Sequence, residues 1–302
     1  GGVGSSTGLD WGAGGRERGA REALYLPSGH TGGIGVTDGI KLYLNMLALS
    51  LRAQMQYRGS FLMDMVSAGT TVLLLFFSIW AYFARFGSLR DWTFEEVALF
   101  YGVACAGFAI TEWLGRGFDL FSSYIRQGEF DRILLRPRST FLQMAGVQFD
   151  LRRMGELGCA LTVLGWAIFR ADIAWTVGKG LLLVCAVLGN ACLFYGVFVL
   201  QATIIFWTVQ DVEVLNVLTY GGREAGTFPL TIYSNWFRRL FTYALPVACV
   251  TYFPLVAILD KQDPLGTSRL WQYASPWVGL LFLLVTVEVW KVGVRHYRST
   301  GT

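Results

Sequence analysis

The sequence predicts an all-α, polytopic membrane protein with six transmembrane helices and an N-terminal amphipathic interfacial helix. Three observations carry this. Of 302 residues, 54% are hydrophobic and 15% charged, whereas a soluble domain carries about 25% charge; mean hydropathy is +0.46. The apolar residues gather into six stretches, at about 61–84, 94–113, 154–169, 181–207, 240–259 and 276–290, near the ~20 residues that cross ~30 Å of hydrocarbon. Lysine and arginine fall unevenly on the two sides those crossings define. Such apolar density excludes disorder beyond residue 40, and the 36 glycines, with no period and only 7 prolines, exclude a collagen-like fibre.

Residues 1–40 are Gly-rich (GGVGSSTGLDWGAGG, SGHTGGIGVTDG) and hold no apolar run of signal-peptide length. They read as a flexible tail, with a small ligand-binding appendage as the alternative. Residues 41–302 form one membrane domain. In KLYLNMLALSLRAQMQYR, Lys41, Asn45, Arg52 and Gln56 share a helical face opposite Leu42, Met46, Leu49 and Met55. A two-faced helix just before a span lies in the interface plane. Of the six stretches, the third and sixth are the shortest. Trp92, Trp113, Trp175, Trp207 and Trp277 mark their ends as interfacial belts do.

With both ends placed in the cytosol, 16 basic residues lie inside: three in 41–59, seven in 114–153, Arg223, Arg238 and Arg239 in 208–240, and Lys291, Arg295 and Arg298 at the end. Six lie opposite, namely Arg85, Arg90, Arg170, Lys179, Lys261 and Arg269. The positive-inside rule therefore selects cytosolic N- and C-termini with six spans.

Several chemistries are not indicated. Cys105, Cys159, Cys185, Cys192 and Cys249 sit in apolar runs as small hydrophobes, odd in number and without CxxC spacing. The two histidines, His30 and His296, lie in the tails, which argues against metal and histidine acid–base chemistry. GxxxxGK[ST] does not occur. Basic residues flank the spans rather than forming a stripe interleaved with aromatics, so nucleic acid is not an expected partner.

The longest cytosolic connection, about 116–153, is far longer than joining neighbouring spans requires. Its centre alternates Arg126, Glu129, Asp131 and Arg132 with Phe130, Ile133, Leu134 and Leu135, the pattern of a short amphipathic helix. Gly128 permits the turn into it and Pro137 ends it. One reading docks this helix on a protein, with Phe130, Ile133 and Leu134 filling a groove and Glu129, Asp131 and Arg132 at the rim. The other lays it on lipid headgroups through Arg136 and Arg138.

GEFDRILLRP, followed by QFDLRRMGE and then LTYGGREAGTFPLTIYSNWFRRLFTYALPVACVTYFPLVAIL, resembles the permease subunits of type 2 ATP-binding-cassette (ABC) exporters over about residues 41–302. The resemblance implies an interfacial elbow helix, six spans and a coupling helix between spans two and three. That helix docks on a separately encoded ATPase, here through Gly128, Glu129, Phe130, Asp131, Arg132, Ile133, Leu134 and Pro137. It also implies a second permease, identical or homologous, and ATP with magnesium on the partner ATPase. This chain then has no catalytic or cofactor site of its own and sits multi-pass in the plasma (bacterial inner) membrane. The Gly-rich tail lies outside the resemblance.

Charges and prolines in the spans supply pathway and gate candidates. Glu112 and Arg116 are spaced for a helical ion pair, either a charged lining at the cytosolic mouth or an interfacial anchor. Asp64 lies one turn into span one, Glu156 opens span three beside Arg152 and Arg153, and Glu288 neighbours Lys291. Pro246 and Pro254 break span five, and Pro229 precedes it; a gate and a merely kinked helix both fit. The spans lack the dense charge of an ion route, so an amphipathic or hydrophobic cargo is expected. A self-sufficient secondary transporter, or a membrane scaffold or enzyme without transport, stays open as the alternative. A midplane poor in carboxylates and the lack of a repeat between halves weigh against the transporter, and histidines outside the spans weigh against the enzyme.

Overall fold

The computed structural model describes Ala48, residues 58–208 and residues 213–297. The Gly-rich tail and the interfacial helix expected from residue 41 lie outside them, Ala48 and Arg58 apart. Among the described residues the regular structure is helical, with one isolated bridge at the Leu89–Trp92 turn. In chain order the helices are α1 (Arg58–Phe86), α2 (Phe94–Asp119), α3 (Phe121–Arg126), α4 (Glu129–Leu134), α5 (Thr140–Val147), α6 (Arg153–Arg170), α7 (Val177–Thr208) and α8 (Glu213–Gly226). A 3₁₀ turn (Leu230–Ile232) leads to α9 (Asn235–Arg239), a π-helical turn (Leu240–Ala244), α10 (Val247–Val250), α11 (Tyr252–Ile258), α12 (Arg269–Ala274) and α13 (Trp277–His296).

Side-chain register gives the direction of each helix. Along α2 and α7, Asn190 Nδ2 donates to the Val103 carbonyl at 3.4 Å and Thr111 Oγ1 to the Ala191 carbonyl at 2.9 Å. Further on, Phe121 meets Phe206 at 5.0 Å between ring centroids. Both sequences ascend together, so α2 and α7 are parallel. α7 and α13 are parallel too, and their contact residues recur every seven positions on both helices. Gly189 meets Gly279, Gly196 meets Thr286, and Thr203 meets Gly293. A Cβ on Gly293 would sit 2.7 Å from the Thr203 side chain, and one on Gly189 would sit 2.6 Å from the Pro276 carbonyl oxygen. Small residues allow this approach, which supplies the packing that holds helices together where no hydrophobic force separates them from lipid.

α6 runs antiparallel to α2, with Leu164 beside Gly102 and Arg153 beside Glu112. It runs parallel to α1, with Gly155 against the Met65 backbone and Trp166 edge-on to Phe76 at 5.7 Å. The bundle thus has two ends, one near Trp92 and the other near Arg153.

Two corrections to the six-stretch reading follow. Four described helices are long and apolar enough to cross a membrane: α1, α2 with its α3 extension, α7 and α13; a bent pair would make five. α6 has 18 residues. Arg153 and Glu156 at one end and Arg170 at the other leave an uncharged core of only about 20 Å at 1.5 Å per residue.

The second correction concerns 240–259, expected as span five. Residues 235–244 and 247–258 form a pair bent by 75°, with Pro246 at the apex. The pair enters and leaves on one side. Before it, the Thr231 carbonyl and Oγ1 accept from Arg90 Nη1 and Trp92 Nε1, both at 3.0 Å. After it, Lys261 Nζ donates to the Asp91 carbonyl at 2.8 Å and to Glu96 Oε2 at 2.6 Å. The return from the Arg153 end is made instead by α8 and the 3₁₀ turn. Gln201 donates to Thr219 at 2.8 Å, Gly222 lies on Phe194, Gly226 faces Ala104, and Thr231 arrives at Trp92. Segment 208–240 is therefore not one cytosolic loop. With Arg238 and Arg239 moved to the Trp92 side and Arg223 inside the bundle, the basic tally becomes 13 against 8, smaller but of the same sign.

In a background without the five native cysteines, Ser88→Cys and Ser234→Cys are expected to react with an impermeant maleimide from the same side of sealed vesicles, and Ser139→Cys from the other. Ser234 labelling together with Ser139 would refute the one-sided hairpin. A branched residue at the α7–α13 contact, Gly279→Val, should cost about 3 kcal/mol by forced overpacking. Gly165→Ala, where a Cβ meets nothing within 4 Å, should stay within about 1 kcal/mol of wild type or gain stability. Thermal unfolding in detergent separates the two.

Candidate functional site

Residues 121–147 fold as three short helices at the Arg153 end. Gly128, left-handed at φ 68°, makes the turn into α4. Gln143 Nε2, on α5, donates to the carbonyls of Ile133 and Arg138, both at 3.2 Å. Trp290 Nε1 donates to Thr140 Oγ1 at 3.2 Å. The turn after α4, with Pro137 at its centre, is thereby held to the bundle.

The direction of α4 corrects the expected groove-filling set. Phe130 is fully buried in its own bundle, with its ring centroid 5.1 Å from both Phe121 and Tyr297 and 5.4 Å from Phe206. Ile133 is buried beside it. Glu129, Asp131 and Gly128 are half-buried, while Arg132, Leu134, Leu135, Arg136, Pro137 and Arg138 are exposed, Leu135 at 85%. The outward face is thus a leucine pair ringed by three arginines, displaced about one turn from the predicted one.

The expected Glu112–Arg116 pair is replaced by two others. Glu112 Oε1, deep on α2, is 3.0 Å from Arg153 Nη2 at the start of α6, and Arg116 pairs with Asp119. Arg153 also pairs with Glu156 and lies 3.6 Å from Asp150. One guanidinium therefore sits among three carboxylates and ties α2 to α6, a link between helices where the sequence offered only a link within one. Glu112 Oε2 has no hydrogen-bond partner among the described residues.

The gate candidates are both placed in the bent pair. Pro246 sits at its apex. Pro254 lies in the first turn of α11, where its missing N–H is not needed. At the Trp92 end the pair is fastened by Lys261, whose ammonium also lies 4.2 Å from the Trp92 ring centroid, and by Asp260, 2.5 Å from Lys179 Nζ. The hydrogen bond from Lys179, with its charge and that of Arg269, holds the Asp260 carboxyl below its usual range. This fastening is therefore present above the ordinary carboxylate pKa and lost as pH falls through the depressed one.

Arg223 escaped the sequence reading, which counted it as a cytosolic charge. Its side chain is only 15% exposed. The guanidinium carbon lies 5.1 Å from the Phe108 ring centroid and Nη2 is 4.0 Å from Cys105 Sγ. A strongly amphipathic α8 was the signal available: Gly222, Arg223 and Gly226 fall on one face of the helix, with Tyr220 and Glu224 outside it. Among the described residues, no group of three or more His, Cys, Asp or Glu is arranged to hold a metal ion.

Removing Arg153 alone (Arg153→Met) strands three acids and should cost about 3–5 kcal/mol. Glu112→Gln in the same chain should restore part of it. Phe130→Ala should cost about 3–5 kcal/mol, and Leu135→Ala nearly nothing. Melting temperatures in detergent read all four.

No curated protein and no solved structure matches the chain. A family model described as ABC-2 family transporter protein matches residues 70–301, from within α1 to beyond α13. The chain belongs to this ABC-2 transporter family.

Proposed function

We propose that the chain is the membrane-spanning permease subunit of an ATP-driven exporter, paired with a second permease and coupled to separate ATP-binding-cassette ATPase subunits. ATP and magnesium belong to those ATPases, and this chain carries out no catalysis. The membership in the ABC-2 family carries the reading, and the geometry of α4 supports it. In this reading α1, α2, α6, α7, α8 and α13 make six passes, and the bent pair dips in from outside. Both termini lie in the cytosol of the cell whose plasma membrane, in a bacterium the inner membrane, holds the protein. The basic tally supports that orientation.

Coupling passes through the surface at Leu134 and Leu135. An interface takes most of its energy from buried apolar anchors and little from rim charges. Arg132, Arg136 and Arg138 form the rim, while Phe130 and Ile133 work from the other side, fixing α4 to α7 and α13. An ATPase pushing on α4 then moves the bundle rather than bending a loop. Access alternates as the two permeases rearrange about the pathway between them.

Co-purification with the cognate ATPase tests this. The double variant Leu134→Ala, Leu135→Ala should weaken association by about 2 kcal/mol or more, roughly thirtyfold, with unchanged melting temperature. Arg132→Glu should weaken it less and in a salt-dependent way. If no ATPase co-purifies with the wild-type chain and the double variant transports normally, the secondary-transporter reading takes its place.

A further inference from the structure

The arginine on α8 differs from Glu112, Lys179 and Lys261, each of which has an oppositely charged partner close by. Glu112 Oε1 is taken by Arg153 at 3.0 Å. Lys261 and Lys179 have carboxylates at 2.6 and 2.5 Å. Among the described residues Arg223 has no carboxylate at hydrogen-bond distance: its neighbour Glu224 is 3.9 Å from Nε, with a side chain 58% exposed. Nε is buried without a hydrogen-bond partner among the described residues, and the Cys105 thiol and the Phe108 ring lie beside the guanidinium. A charge at mid-membrane costs ~2.5–3.5 kcal/mol on the insertion scale, and such residues lie toward a cavity or another protein group when they are kept.

The surroundings are those of an amphiphile site. Phe108 and Cys105 on α2 provide apolar walls beside the guanidinium. A Cβ on Gly221, next along α8, would meet nothing within 4 Å, and Val217 and Tyr220 on the same helix are exposed. The Tyr220 ring, 5.7 Å from that of Phe108, joins this exposed apolar surface to the buried, under-partnered fork of donors. A guanidinium holds carboxylate or phosphate through two parallel hydrogen bonds.

We infer that Arg223, with Phe108 and Cys105, forms a binding site between α2 and α8 for the acidic headgroup of an anionic amphiphile. The apolar body of the guest lies along Val217, Tyr220 and Gly221. This rests on the permease reading only in naming the guest as cargo; binding itself needs no ATPase. Two sources share the chemistry: an acidic lipid of the bilayer, and a carboxylate-bearing guest arriving from solution.

The test uses the full chain in phosphatidylcholine nanodiscs, titrated with cis-parinaric acid and read by energy transfer from tryptophan. The expected result is saturable binding of the acid, with its methyl ester giving only linear partitioning. Arg223→Gln should weaken the acid about tenfold or more, as loss of a charge-assisted hydrogen bond does, while Arg223→Lys keeps part of the affinity. Equal binding of acid and ester by the wild type overturns the inference, and this comparison stands even where Arg223→Gln fails to fold. Unchanged acid binding by a folded Arg223→Gln overturns it as well. Nanodiscs containing phosphatidylglycerol separate the sources. Displacement of parinarate assigns the site to a bilayer lipid, and undiminished binding assigns it to a guest from solution. Loss of ATPase co-purification would remove the permease reading and leave these results standing.

Discussion

Lipid tails are as apolar as leucine, so two helices in hydrocarbon stay together only where they fit closely or share polar contacts. α7 meets that condition on two sides at once. Toward α13 it presents Gly189, Gly196 and Thr203, one residue every two turns, against Gly279, Thr286 and Gly293. Toward α2 it presents Asn190 and the Ala191 carbonyl, which bond to Val103 and Thr111. Both partners run parallel to it. Parallel neighbours in one chain demand a return path between them, and the chain provides two, α6 between α2 and α7 and α8 between α7 and α13. Arg153 and Arg223, both placed on those return paths, come to lie in the interior because the paths pass between parallel neighbours.

Composition revealed the class, and four of the stretches became α1, α2, α7 and α13 with boundaries close to those expected. It misplaced the fifth. Residues 240–259 are apolar because they are buried in protein, Val247 to Ile258 almost without a break, and hydropathy reports burial without saying whether lipid or protein does the burying. α8 was overlooked for the converse reason. Its 14 residues carry Arg223 and Glu224, and only the pairing of Gly222 and Gly226 with neighbouring helices reveals that it passes through the bundle. Pro246 was legible as a break, since a missing donor and a fixed φ act locally.

Partner choice was the least legible feature. Spacing of four along a helix joined Glu112 to Arg116 on paper, yet Arg153 reaches Glu112 from another helix and Asp119 takes Arg116. Sequence spacing sees neighbours within a helix and is blind to those across a contact. The amphipathic reading of α4 met a similar limit. Alternation identified an apolar face on Phe130 and Ile133 but could not say whether that face looks inward or outward. The aromatic cluster of Phe121, Phe206, Trp290 and Tyr297, drawn from three distant segments, settles it inward.

The two ends of the bundle are fastened by different physics, and each suits its surroundings. Around α4 the attachment is aromatic, ring edge to ring face, with little dependence on pH or salt. It ties α4 to the ends of α7 and α13 through Phe206 and Trp290. At the Trp92 end the bent pair is held by ammonium–carboxylate contacts, Lys261 to Glu96 and Lys179 to Asp260, with Asp260 half exposed to solvent. Lys179 and Glu96 are themselves largely buried, and the pair is held further by its own apolar residues, buried from Val247 to Ile258. The same three parallel helices therefore carry an aromatic attachment at one end and a mixed ionic and apolar one at the other, where Pro246 leaves a break in the backbone ladder at the apex of the bent pair.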